Sequence, residues 1–145
     1  MQIYTIGFTQ KNAEQFFELI LRNNIDILID IRLNNQSQLA GFTKGKDLNY
    51  FLKKICDCNY DHYIACAPTK EILQKYKKNE ITWKEYEKKY NELIIDREIA
   101  KNFKSKYSKY TKTLLLCAEP TAEHCHRRLL AEYLQKELEY IVFHI

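Results

Sequence analysis

The chain alternates between two apolar spacings. Short strand-length apolar runs fall at Ile3–Ile6, Ile25–Ile31, Tyr60–Ala65, Thr113–Cys117 and Tyr140–Ile145, the third being the weakest. Between them apolar residues recur at helical spacing. Ala13, Phe16, Phe17, Ile20 and Leu21 form one stripe, Leu48, Phe51, Leu52 and Ile55 a second. Ile72, Leu73 and Tyr76 form a third, and Trp83, Tyr86, Tyr90 and Leu93 a fourth, with helix resuming or continuing through Ile99 and Phe103. Leu130, Tyr133, Leu134 and Leu138 form the last.

Cap residues stand where these stripes begin. Asn12 with Gln15, and Thr82 with Glu85, have capping-box spacing. Asp47 and Thr121 are expected to cap the second and last helices, and Pro68-Thr69 opens the third. In the second strand Ile25, Ile27, Ile29 and Ile31 share one face and Leu28 lies on the other, the mark of a strand buried on both sides.

Alternating strands and helices predict an α/β domain over residues 1–145: a mainly parallel five-stranded sheet with helices on both faces. The Lys- and Tyr-rich helices before strand four read as an insertion. The expected strand order is 3-2-1-4-5, which puts the switch point between strands one and four.

No apolar run approaches the roughly 20 residues needed to cross a bilayer. The first residues lack the basic start and small-residue cleavage site of a signal peptide. The expected compartment is the cytoplasm, with no membrane partner. Five cysteines, an odd number, argue against a disulfide framework, so reduced thiols are expected. Residues 75–112 hold 12 Lys/Arg against 6 Asp/Glu, leaving 11 against 13 for the rest of the chain's 23 and 19. The positive charge therefore belongs to one segment. It is either a solvated helical face or a surface for a polyanion. In the second case Lys75, Lys78, Lys88, Lys104 and Lys109 meet phosphates while Tyr107 and Tyr110 stack on bases.

Ligands of open parallel sheets gather outside the carboxyl ends of the strands. Those ends carry Gly7-Phe8-Thr9, Asp30-Ile31-Arg32 with Asn34 and Asn35, and Cys117-Ala118-Glu119, followed by Glu123-His124-Cys125-His126-Arg127-Arg128. Gly7, Asp30, Arg32, Asn35, Cys117 and Arg127 are the candidate ligand-binding residues. Cys125, His126 and Glu119 are the candidate catalytic ones. Arginine forks and a helix N-terminus both suit phosphate. With Thr121 as cap, an anion is expected among Arg127, Arg32 and the free N–H groups of residues 122–124. His126 then points inward, and Arg128 lies further toward solvent. The competing reading has Arg32 tied structurally to Asp30 or Glu119, and His126 bonded to a strand-end carbonyl.

The same residues carry a family resemblance. Thr5-Ile6-Gly7, Asp30-Ile31-Arg32, Leu116-Cys117-Ala118-Glu119, Cys125-His126-Arg127-Arg128 and Ala131-Glu132-Tyr133-Leu134 resemble the family named domain of unknown function 488. Arg32-Leu33-Asn34-Asn35 with Ser37-Gln38-Leu39-Ala40-Gly41-Phe42, and Ala67-Pro68-Thr69-Lys70-Glu71, resemble one branch of it. Members commonly carry His after the first Thr-Ile-Gly, where this chain has Phe8. The resemblance spans nearly the whole chain and implies no established reaction.

Three chemistries remain open. A phosphate-bearing ligand, nucleotide or nucleic acid, bound at the strand ends is the leading reading. A thiol- or metal-dependent enzyme using Cys117, Cys125 and His126 is the alternative. A non-catalytic interaction module is the third. A Cys-x5-Arg phosphatase loop is disfavoured, because Glu123 and Ala131 stand six residues after Cys117 and Cys125, and a rhodanese-type loop fares no better. Without a paired Cys-x-x-Cys no metal is assigned. Three glycines supply neither a Walker A nor a Gly-x-Gly-x-x-Gly pattern, so no cofactor is assigned either.

Overall fold

A computed structural model describes residues 1–36 and 40–145. Ser37, Gln38 and Leu39, part of the branch-specific segment, lie outside the described residues. Five parallel strands form the sheet: β1 (Gln2–Gly7), β2 (Ile27–Asp30), β3 (Asn59–His62), β4 (Lys112–Cys117) and β5 (Ile141–His144). Among the described residues six α-helices cover it: α1 (Ala13–Asn23), α2 (Gly45–Cys56), α3 (Lys70–Lys77), α4 (Trp83–Asp96), α5 (Ile99–Tyr107) and α6 (His126–Leu138). The α/β class, the parallel sheet and the helical insertion before β4 are those expected from the apolar pattern.

Strand order departs from expectation. It is β3-β2-β4-β1-β5, so β4 lies between β2 and β1. Burial does not separate the two orders, since β5 takes an edge in both. β1 and β4 are each buried along five of six residues, whereas β5 exposes most of its side chains and takes an edge. The consequence is functional: the end of β4 is flanked by the ends of both neighbours. Gly7 pairs with Cys117, Asp30 pairs with Leu116, and the Ile31 N–H donates to the Leu116 carbonyl at 3.2 Å.

The two faces have separate cores. Ile27, Ile29, Ile31 and Leu115 pack with Tyr90, Phe103 and Leu130 beneath α3–α6. Ile6, Leu28, Leu114 and Leu116 pack with Phe16 and Leu52 beneath α1 and α2. α1 starts with the full Asn12–Gln15 capping box. Thr69 and Thr82 cap α3 and α4 by accepting from the N–H groups of Ile72 and Glu85, both at 3.2 Å. Glu98, left-handed at φ 50°, separates α4 from α5.

Two expected caps move. Asp47 sits inside the first turn of α2, because the Asn35 carbonyl holds the Gly45 N–H at 2.8 Å and starts the helix earlier. Thr121 caps nothing. α6 begins at His126 with Cys125 in the cap position, and the preceding residues form turns. Arg127 accounts for the delay: its guanidinium donates to the Glu119 and Pro120 carbonyls, so the chain wraps around it before becoming helical. Among the described residues no helix is long and apolar enough to cross a membrane.

Candidate functional site

A cleft of about 600 Å³ opens at the carboxyl ends of the central strands. One side is made by Phe8, Arg32, Cys117 and Glu119, and Cys125 and His126 also line it. The opposite wall comes from the insertion, with Lys70, Tyr76, Lys77, Trp83 and Tyr86. The position follows from the sheet: β4 ends at its centre, and α3 and α4 rise beside it.

Asp30 and Arg32 form a closed clamp. Arg32 donates from Nε and Nη2 to the two Asp30 oxygens at 2.8 and 2.6 Å, and from Nη2 to the Thr43 carbonyl at 2.7 Å. Tyr60 donates its hydroxyl to Asp30 at 2.9 Å. Both charged side chains are buried. Arg32 lines the cleft with its charge already matched, as in the structural tie weighed from the sequence. Asn35 donates to the Tyr60 hydroxyl at 3.1 Å and holds the start of α2, away from the cleft. Gly7 is placed by close packing: a β-carbon there would overlap the Glu119 carbonyl and approach Arg127 Nη1 to 2.8 Å.

Arg127 corrects the expected anion site. It is 2% exposed and turned beneath the 119–125 turn, not to the rim of the cleft. The N–H groups of residues 122–124 belong to that turn and not to a helix N-terminus. Its Nη1 lies 3.7 Å from Cys125 Sγ, and its Nε has no partner among the described residues. No carboxylate pairs with it among the described residues. Arg128 lies further out, as expected, bonded to the Glu123 carbonyl at 3.0 Å and to Glu132 at 2.8 Å.

Cys117, Cys125 and His126 converge. Their ligand-forming atoms all lie within 4.8 Å of one another, and all three residues are buried. His126 Nε2 is 2.9 Å from the Ile31 carbonyl, which can only accept. Nε2 therefore carries a proton, and Cys117 Sγ lies 3.5 Å from Nδ1 and 3.8 Å from Nε2. A hydrogen bond from the Cys125 thiol holds Cys117 below the usual thiol range despite its burial, helped by the Arg127 charge and the N–H groups of Glu119 and Ala118. Giving that bond, together with its own burial, pushes Cys125 up. The other cysteines are ordinary thiols, Cys58 and Cys66 buried and Cys56 half-buried: burial raises Cys56 to about 11 and Cys58 and Cys66 to about 12. No cysteine is in a disulfide.

A family model, "Domain of unknown function DUF488", matches residues 12–134. The chain belongs to the DUF488 family. No curated protein and no solved structure matches it. In this DUF488 chain the matched span includes the Asp30–Arg32 clamp, the Cys117–Cys125–His126 cluster and the insertion wall, while Gly7 and Phe8 precede it.

The insertion wall escaped the sequence reading. Trp83 stacks on Tyr86 at 4.9 Å and lies 5.1 Å from His124, with Tyr76 at 5.6 Å. Its signals were the lone tryptophan and the Ala67–Glu71 segment. The expected base-stacking role of Tyr107 fails, because that ring is 1% exposed and its hydroxyl donates to Asp61 at 2.6 Å.

Proposed function

We propose that this protein binds a planar, phosphate-bearing small molecule of the nucleotide class in the strand-end cleft. The observation that carries the reading is the composition of the cleft lining. Tyr76, Trp83 and Tyr86 form an aromatic wall, and Lys70 and Lys77 stand at its edge. Neither lysine forms an ion pair among the described residues. With Arg32 matched by Asp30, the lining keeps two free cations against one carboxylate, Glu119. An aromatic ring suits a base, and free ammonium groups suit a phosphate. A volume of about 600 Å³ is in the range of small-molecule sites.

The basic segment supports a nucleic-acid partner less well. Lys75 and Lys106 are paired with Glu71 and Asp61, and Tyr107 is buried. Chemistry at Cys117, Cys125 and His126 is a second reading, favoured by their convergence beside the same cleft.

Thermal unfolding tests the binding. A ligand at 100 times its Kd stabilises the folded state by about 2.7 kcal/mol. Nucleoside mono- and diphosphates are expected to raise Tm, free nucleosides to raise it less, and Lys70→Ala/Lys77→Ala to weaken the response about tenfold in concentration, a change of about 1.4 kcal/mol. No shift with any phosphate ester at millimolar concentration contradicts the reading.

A further inference from the structure

We propose that Cys117, Cys125 and His126 form a three-ligand site for a soft divalent cation, Zn²⁺ by its donor set, with the fourth position open to the cleft. Two sulfurs and an imidazole nitrogen are the ligand types zinc selects, and three protein ligands with one free position is the pattern of a reactive metal site.

Geometry supports the assignment. Zinc–sulfur and zinc–nitrogen bonds of about 2.3 and 2.0–2.1 Å at a tetrahedral angle place the two donors roughly 3.5 Å apart. Cys117 Sγ and His126 Nδ1 are separated by 3.5 Å. The remaining donor, Cys125 Sγ, lies within 4.8 Å of both. The ligands come from the end of β4, the helix cap and the first residue of α6, so the backbone fixes all three.

The histidine is already set for coordination. Metal-bound imidazoles almost always donate their other ring N–H to a carboxylate, carbonyl or water. His126 gives Nε2–H to the Ile31 carbonyl at 2.9 Å, which leaves Nδ1 free to bind.

Arg127 bears on what fills the fourth position. A divalent cation and two thiolates are neutral together, and the buried guanidinium 3.7 Å from Cys125 Sγ adds one positive charge. An anionic oxygen, from hydroxide or a phosphate group, restores balance. All three ligands line the same cleft as Lys70 and Lys77. This identification of the fourth ligand rests on the phosphate-binding reading; the metal site itself does not.

The test uses the untagged chain of residues 1–145. Metal content is measured after purification with zinc in the medium, and the chelator-treated protein is titrated with Co²⁺. One equivalent of metal is expected, with strong thiolate-to-cobalt charge-transfer absorption and the intense visible bands of a tetrahedral ion. Cys117→Ser and Cys125→Ser should each lose about half of the charge-transfer intensity and weaken zinc binding at least a hundredfold. His126→Gln should shift the visible bands. Circular dichroism identifies variants that have not folded, and Cys56→Ser serves as a cysteine control that keeps full binding. Sub-stoichiometric metal in the folded wild-type chain, or undiminished binding in folded Cys117→Ser and Cys125→Ser, overturns the site. Inorganic phosphate added to the cobalt form is expected to shift its visible bands, and no shift overturns the anionic fourth ligand. Lys70→Ala/Lys77→Ala should keep the metal while losing nucleotide binding, which separates failure of the two readings.

Discussion

Replacing Asp30 with Asn keeps the shape of the side chain and removes its charge. Asp30 is 0% exposed, and its two oxygens accept from Arg32 Nε, Arg32 Nη2, the Arg32 backbone N–H and the Tyr60 hydroxyl. Asn offers one acceptor oxygen and turns an NH₂ toward groups that are donors themselves. Arg32, only 5% exposed, then holds an uncompensated charge. Breaking a buried pair in this way costs about 3–5 kcal/mol. For a chain of this length that lowers Tm by roughly 6–20 °C. Urea unfolding followed by circular dichroism should show a lower midpoint at unchanged slope. Asp30→Leu/Arg32→Met removes both charges and should recover at least half of the loss, because apolar replacement of a buried pair is often neutral. It should also leave nucleotide-induced stabilisation in place, since Arg32 is spoken for by Asp30. A loss under about 1 kcal/mol in Asp30→Asn, or a double variant that is folded but no longer responds to nucleotides, would refute this reasoning and return Arg32 to the binding site.

Three other outcomes follow from the same structure. Gly7→Ala should destabilise by about 3 kcal/mol, because its β-carbon collides with the Glu119 carbonyl under the turn; an unchanged Tm would show that the turn yields freely. Leu130→Ala, at a fully buried position on α6, should cost about 3 kcal/mol through the cavity it leaves, with nucleotide affinity preserved below its Tm. Burial raises the Asp61 pKa, but hydrogen bonds from Lys106 and Tyr107 and the charge of Lys106 outweigh it and hold the carboxyl below its usual range. Its contribution is therefore complete above the unfolded value of about 3.9 and is lost as pH falls through the lower folded value. Asp61→Asn should cost about 1 kcal/mol at neutral pH after solvent screening and flatten stability across the acid limb; an acid limb identical to wild type would contradict it.

The apolar periods made the strands, the helices and the parallel sheet legible, because each strand end is punctuated by polar residues and three helices carry their own side-chain caps. Strand order was not legible. β4 and β1 are equally apolar, and only the tertiary preference for placing β4 between β1 and β2 decides it. The start of α6 was misread for a local reason: Thr121 has the chemistry of a cap, but the Arg127 guanidinium claims the carbonyls of Glu119 and Pro120 and displaces the helix to His126. The same event hid the site. Residue types at the strand ends pointed to the place where the cleft lies, whereas the charges of Arg32 and Arg127 looked available when both are buried, Arg32 paired with Asp30 and Arg127 turned onto the Glu119 and Pro120 carbonyls. Of the lysines that remain free at the cleft, Lys77 lies in the basic segment, whose many lysines resemble a solvated surface, and Lys70 in the Ala67–Glu71 stretch just before it.

Trp83 is the only tryptophan in the chain and lines the cleft, so its fluorescence reports ligand entry without a label. Titration with a nucleoside diphosphate at low ionic strength tests the central claim most directly. The account predicts a saturable change in Trp83 emission, weakened by added salt and about tenfold weaker in Lys70→Ala/Lys77→Ala. Emission that stays unchanged while the protein remains folded, or a response equally strong when both lysines are removed, would contradict it.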